Sequence, residues 1–206
     1  IASINHIIAP EIIGKLPEAI GLDQKIIEID GTENKSGLGA NATLAVSMAL
    51  FRAQAYVEQV ELFELIANMM NIDELSLPYP MFNMINGGAH ADNNLKIQEF
   101  MAIPVGAQSF FQAMEAGILI FYQLKDLLKK DGKSTALGDE GGFAPDFSDD
   151  VQALDYLYKA IENVEKTTGV KSAISLDIAA SEFYSKTDKL YHWGKEKISA
   201  QGLIEF

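Results

Sequence analysis

Apolar residues keep two different rhythms along this chain, and the change between them divides it. From residue 40 to about residue 70 helix formers dominate, and the opening stretch "NATLAVSMALF" is apolar on nearly every side, which predicts a buried helix with Asn41 as its cap. Ahead of it, "KIIEID" at 25–30 predicts a short strand leading into the turn-rich loop "GTENKSG". "NIDELSLPYP" at 71–80 then loses periodicity and carries two prolines, which favour extended backbone before them. A domain boundary is expected there, separating residues 1–77 from residues 78–206.

Beyond it the rhythm shortens. "MFNMIN" predicts an apolar strand running into the Gly-Gly bend of "GGAHADNN". "KIQEFMAIPV" predicts a second strand, with Ile97, Glu99, Met101 and Ile103 alternating with Gln98, Phe100 and Ala102. "SFFQAMEAGILIFYQLKDLLKK" predicts an amphipathic helix with Ser109 and Gln112 at capping-box spacing. "TALGDEGGFAP" predicts a short strand ending in a tight bend. Val151, Leu154, Ile161 and Val164 recur at helical spacing behind Ser148 as cap. "AISLDIAASEF" predicts a strand with Ile174, Leu176 and Ile178 on one face and Ser175 and Asp177 on the other. Strands alternating with helices point to parallel strands of an α/β layer or barrel. A full barrel takes roughly 250 residues, so residues 78–206 are expected to hold an incomplete one.

Composition narrows the function. A hydrophobic content of 48% is that of a globular chain, and a net charge of -13 opposes binding to phosphate backbones, so no nucleic-acid partner is expected. Lys125, Lys129, Lys130 and Lys133 form a local basic cluster that reads as a solvated helix end. With no cysteine there is no disulfide framework, thiolate metal site or cysteine nucleophile, and a cytoplasmic location is the default. The most apolar run, 42–51, is stopped by Arg52 well short of the roughly 20 residues of a membrane span. Ile1 is neither an initiator methionine nor part of a signal peptide, so the chain is expected to begin inside a longer protein.

Candidate chemistry gathers at the predicted strand ends: His90, Glu99 with Gln98 beside it, Glu140 and Asp177. Each alone reads as a solvated or loop residue. Several carboxylates on one rim repel one another and raise their pKa values unless a proton or a cation intervenes. A hard cation such as magnesium would resolve the repulsion, and a carboxyl of raised pKa could protonate a poor leaving group. Elimination beside a carboxylate fits, as do sugar isomerisation and phosphate hydrolysis, and spacing alone does not choose among them.

Four ordered segments carry a closer likeness: "DGTENKSGLGANATLAVSMA" (30–49), "PMFNMINGGAHADNNLKIQEFM" (80–101), "GDEGGFAP" (138–145) and "SLDIAASEFY" (175–184). In them the chain resembles the enolase family. The resemblance implies the helical end of an α+β capping domain followed by the first part of an enolase-type α/β barrel. It also implies magnesium-dependent interconversion of 2-phosphoglycerate and phosphoenolpyruvate in glycolysis, usually by a homodimer. By the same resemblance Glu140 matches the general acid and Glu99 the second active-site glutamate. Gln98 and His90 match substrate contacts, and Asp177 matches the first of three magnesium carboxylates. Asp139 and Glu182 read as structural. Lys186, Lys189, Lys195 and Lys197 read as solvated rather than as the family's proton-abstracting lysine. Two readings stay open: part of a complete enolase, the isolated chain being inactive, or a truncated non-catalytic binding or structural module.

Overall fold

Ala19, Leu22 and Ile26 are all buried, at spacings of three and four, and that stripe makes 19–30 helical. The computed structural model describes residues 1–205, in two compact units, Ile1–Ser76 and a second beginning at Leu77.

In the first unit a π-helical turn, Ile4–Ile8, runs into α1 (Ala9–Ile12), followed by α2 (Ala19–Asp30), α3 (Ala40–Glu58) and α4 (Leu62–Met70). The strand expected at 25–30 is therefore the second half of α2. A short apolar run fits strand or buried helix equally, and here the stripe from Ala19 continues through it. Asp30 closes α2 and gathers the next loop: its carboxylate accepts from Thr32 N (3.1 Å), Leu38 N (2.6 Å) and the Thr32 hydroxyl. These bonds, the Thr32 hydroxyl first, hold its pKa below the ordinary value. The helix-forming stretch from 40 to about 70 holds two helices. Gln59 adopts a left-handed conformation (φ 58°), and α4 restarts where Glu61 N donates to Glu64 Oε2 at 2.9 Å. Gly39, not Asn41, occupies the cap position of α3. Ala42, Val46 and Leu50 of α3 pack on Ile8, Leu22 and Ile26, whereas Leu44 and Met48 are exposed, so α3 is buried on one face only.

The second unit contains β1 (Phe82–Asn86), β2 (Glu99–Ile103), α5 (Phe110–Lys130), α6 (Asp150–Thr168) and β3 (Ala173–Asp177). A hairpin sheet of β4 (Tyr184–Ser185), β5 (Leu190–Trp193) and β6 (Glu196–Ile198) follows, then α7 (Ala200–Glu205). The main sheet has the order β1-β2-β3, and both pairs are antiparallel. The parallel expectation is corrected by the connections. Between β1 and β2 there is a loop with no crossover helix, so β2 is free to return antiparallel. Between β2 and β3 the chain passes both α5 and α6. The stretch between those helices forms no strand, contrary to expectation, and makes only isolated bridges, Ile85 to Phe143 in parallel and Leu137 to Phe143. β1, β3 and the Phe143 bridge thus share one direction, with β2 reversed. Among the described residues this is a mixed α/β layer and not a closed barrel.

Phe100 and Ala102 of β2 point into the core with Met84, Ile120, Leu124, Leu128, Leu157 and Ile161 from β1, α5 and α6. Alternation therefore sends Glu99 to the opposite face. Ser109 caps α5, accepting from Gln112 N (3.1 Å), and Gln112 Oε1 in turn accepts from Gln108 N (2.6 Å). α6 repeats the device one residue later than expected. Asp149, not Ser148, accepts from Gln152 N (2.8 Å), and Ser148 N donates to Gln152 Oε1 (2.9 Å). Val151, expected on the buried face, is exposed. Lys133 is not merely solvating: its ammonium donates to the Asp146 carbonyl (2.9 Å) and lies over the Phe147 ring.

Candidate active site

His90 stands on the loop between β1 and β2, just after the tight Gly87-Gly88 step. Gly87 N donates to Gln98 O (2.9 Å) and Gly88 N to Leu95 O (3.1 Å), closing the loop on itself. Asn93 Nδ2 donates back to Asn86 O (2.9 Å). Asn94 exchanges side-chain hydrogen bonds with the Phe147 backbone. Asp150, only 3% exposed, accepts from Lys96 N (2.8 Å) and Ile97 N (2.9 Å), with Lys96 Nζ 3.9 Å from its other oxygen. The His90 loop is thereby fastened to the start of α6.

Glu140 sits on the facing bend, which closes through Gly138 N to Gly142 O (2.8 Å) and Gly141 N to Gly138 O (3.2 Å). Gly141 takes φ 86°, a conformation that disfavours any side chain. Asp139 N donates to His90 O at 3.2 Å, so the two loops share a backbone bond.

Glu99 arrives from the first position of β2, and ligand atoms of His90, Glu99 and Glu140 lie within 4.8 Å of one another. His90 Nδ1 is 3.2 Å from Glu140 Oε2 and 3.5 Å from Glu99 Oε1, within ion-pair range but off the line of a hydrogen bond. Asn83, on β1, donates from Nδ2 to the same Glu140 Oε2 at 3.2 Å. Its neighbourhood pushes Glu99 up to about 7, first through the hydrogen bond with Glu140, then by burial and the charges of Glu140 and Asp177, with His90 opposing. Glu140 is shifted down by the same bond to Glu99, helped by His90 and Asn83. The two carboxyls are coupled, Glu99 held above and Glu140 below the ordinary glutamate value.

Asp177 ends β3 directly opposite Glu99 in the sheet register, and its Oδ1 accepts from Ala179 N (2.9 Å). Gln98 joins this point through its backbone, donating N–H to Asp177 O at 3.1 Å. Magnesium takes oxygen ligands in an octahedron and is held by one or two carboxylates plus water and substrate oxygens. Asp177, a carboxylate at the strand end beside the acid pair, fits as one such ligand. The His90–Glu99–Glu140 group is of metal-binding size, but its imidazole nitrogen suits magnesium poorly.

Sequence reasoning overlooked Asn83, Asn86 and Asp150. An asparagine inside the apolar run "MFNMIN" was the available signal, because a polar side chain in a strand bound for the core needs a partner or a task.

Two glutamates and a histidine thus gather at the end of a mixed α/β sheet whose loops are pinned on both sides. The family model described as the enolase C-terminal TIM barrel domain matches residues 74–202, and that of the enolase N-terminal domain matches residues 1–66. The chain belongs to the enolase family, a family of lyases.

Proposed function

We propose that the enzyme to which this sequence belongs dehydrates 2-phosphoglycerate to phosphoenolpyruvate reversibly, with magnesium, as a cytoplasmic step of glycolysis. Residues 1–77 are read as the end of the capping domain and 78–206 as the first part of the barrel domain. The observation that carries the reading is the convergence of His90, Glu99 and Glu140, whose ligand atoms lie within 4.8 Å of one another at the end of the sheet.

Dehydration removes a proton from the carbon beside the substrate carboxylate and expels a hydroxyl from the next carbon. That hydroxyl leaves as water once protonated, and Glu140 is the donor. A proton held by the facing carboxyls reaches the leaving hydroxyl through Glu140. His90 and Gln98 contact the substrate. When bound at Asp177, magnesium would neutralise the substrate's negative charge. Among the described residues no lysine lies within ion-pair distance of Glu99, Glu140 or Asp177. No lysine of residues 1–206 matches the family's proton-abstracting base in its sequence surroundings, so this stretch alone is expected to show negligible turnover. A homodimer is the expected assembly of the whole enzyme.

A truncated non-catalytic module is the second reading, favoured by β3, whose outer edge is unpaired among the described residues and whose Leu176 is exposed. Intact mass of the native protein, measured with magnesium-dependent phosphoenolpyruvate formation by the same sample, separates the two. Turnover by a polypeptide well above 22.5 kDa supports the enzyme, and a 22.5 kDa protein without turnover supports the module.

A further inference from the structure

Asn83 Nδ2 and His90 Nδ1 approach the Glu140 carboxylate at the same oxygen, Oε2, each at 3.2 Å. The two differ in kind. His90 belongs to a loop, whereas Asn83 is a strand residue, paired with Met101 across β1 and β2. Glu140 itself is on a bend with its side chain 45% exposed, so little packing restrains its rotamer. The Asn83 amide has one sensible orientation. Turned over, its oxygen would face a carboxylate, so Nδ2 faces Glu140 and Oδ1 is left buried without a protein partner. Room for that oxygen is made by Gly142: a Cβ there would stand 3.0 Å from Asn83 Oδ1 and overlap the side-chain oxygen of the fully buried Asn86. The second glycine of the bend thus accommodates the asparagines beneath the acid.

We infer that Asn83 is a positioning residue of the acid–base pair: its amide anchors Oε2 of Glu140 to the sheet and leaves Oε1 as the oxygen that exchanges a proton. The inference rests on the acid–base reading above. It explains how an exposed carboxyl on a glycine-flanked bend presents one defined oxygen. A protonated Oε1 transfers its proton to the leaving hydroxyl and Oε2 keeps its donors throughout, so the anchored oxygen never has to give up its hydrogen bond during the step.

The test is a mutant cycle between residues 83 and 140 in the full native polypeptide, with turnover and thermal unfolding read on the same samples. Asn83→Ala should lower kcat about 10-fold or more with little change in KM, the signature of a group that acts on the chemical step. Asn83→Asp keeps the shape but sets an acceptor against Glu140, and should cost more. In a Glu140→Gln background neither change should cost further activity. Asn83→Asp should also unfold at a higher temperature in that background than with Glu140 in place, because the introduced amide can donate to it. Additive losses, a change confined to KM, or no thermal coupling between the two positions would overturn the inference. Wild-type polypeptide that forms no phosphoenolpyruvate would overturn the acid–base reading, and the catalytic role of Asn83 with it, even if the thermal coupling is present.

Discussion

Two clusters of this chain join a histidine to carboxylates, and they are built to opposite ends. At the sheet end, Glu99 and Glu140 face each other with only His90 between them, and Glu99 is pushed up to about 7. On the hairpin, Asp188 accepts from Lys197 Nζ at 2.8 Å and meets His192 Nε2 at 3.0 Å, so its pKa is driven well below the ordinary value, with Lys197 the largest cause. Asp188 has a lysine ammonium in direct contact, and the two glutamates have none among the described residues. A satisfied charge fixes a shape, whereas a pair short of counter-charge holds a proton it can give away.

Removing the frustrated acid should produce the largest effect. Glu140→Gln is expected to lower kcat of the native enzyme by about 10²–10⁴-fold, the range of a general acid. Relieved of a like charge and of the shared proton, Glu99 should then ionise at lower pH, which its side-chain carboxyl carbon shift in NMR would report. A loss of turnover with an unchanged Glu99 titration would mean that the two carboxyls do not share a proton.

Asp150 sharpens the comparison from the other side, as a buried carboxylate fully engaged by the backbone N–H groups of Lys96 and Ile97. Asp150→Ala leaves those donors without an acceptor and should cost about 1–3 kcal/mol of stability in denaturant unfolding. It should also loosen the His90 loop, seen as faster amide exchange around residues 88–97. An unchanged unfolding midpoint would show that the loop is held without this anchor.

The strands β1, β2 and β3 and the helices α5 and α6 were legible because each carries its own period. α2 was misread because its last six residues, taken alone, fit a strand as well as a helix, and only the stripe from Ala19 decides. Strand direction was not legible: alternation of strand and helix suggests parallel crossovers, but β1 and β2 are joined by a loop alone. The β4–β6 hairpin was missed because its strands are only two to four residues long and it is held partly by Asp188, whose partners lie four and nine residues away. At the site, spacing and resemblance named charged residues, while Asn83 and Asn86 act through contacts 57 residues away in sequence or through the space of Gly142. Such long-range contacts leave no periodic trace.

The pH response should separate the two clusters by sign. Glu99 binds its proton more tightly folded than unfolded, so its contribution to stability is full below about 4.5, its ordinary value, and is lost as pH rises through about 7. Unfolding temperature followed from pH 5 to 8 should therefore carry a falling component that Glu99→Gln removes, and a wild-type profile with the same slope as the variant would refute the shared proton.

Asp188 has the reverse sign and the smallest effect. Its pKa is lowered, so its stabilising contribution is present above the ordinary aspartate value, ~3.9, and fades as pH falls below it. The cluster is solvent-exposed, and exposed ion pairs contribute little to global stability and are screened by salt. Asp188→Ala should therefore leave the unfolding temperature of the chain nearly unchanged and register locally, as faster amide exchange in residues 190–198 at neutral pH. At acidic pH the difference from wild type should shrink, because protonated Asp188 has already let go of Lys197. Equal exchange in the two proteins at neutral pH would show that the hairpin is held by its aromatic contacts, Phe183 with Trp193 and Tyr184 with Tyr191, and that its ion cluster is incidental.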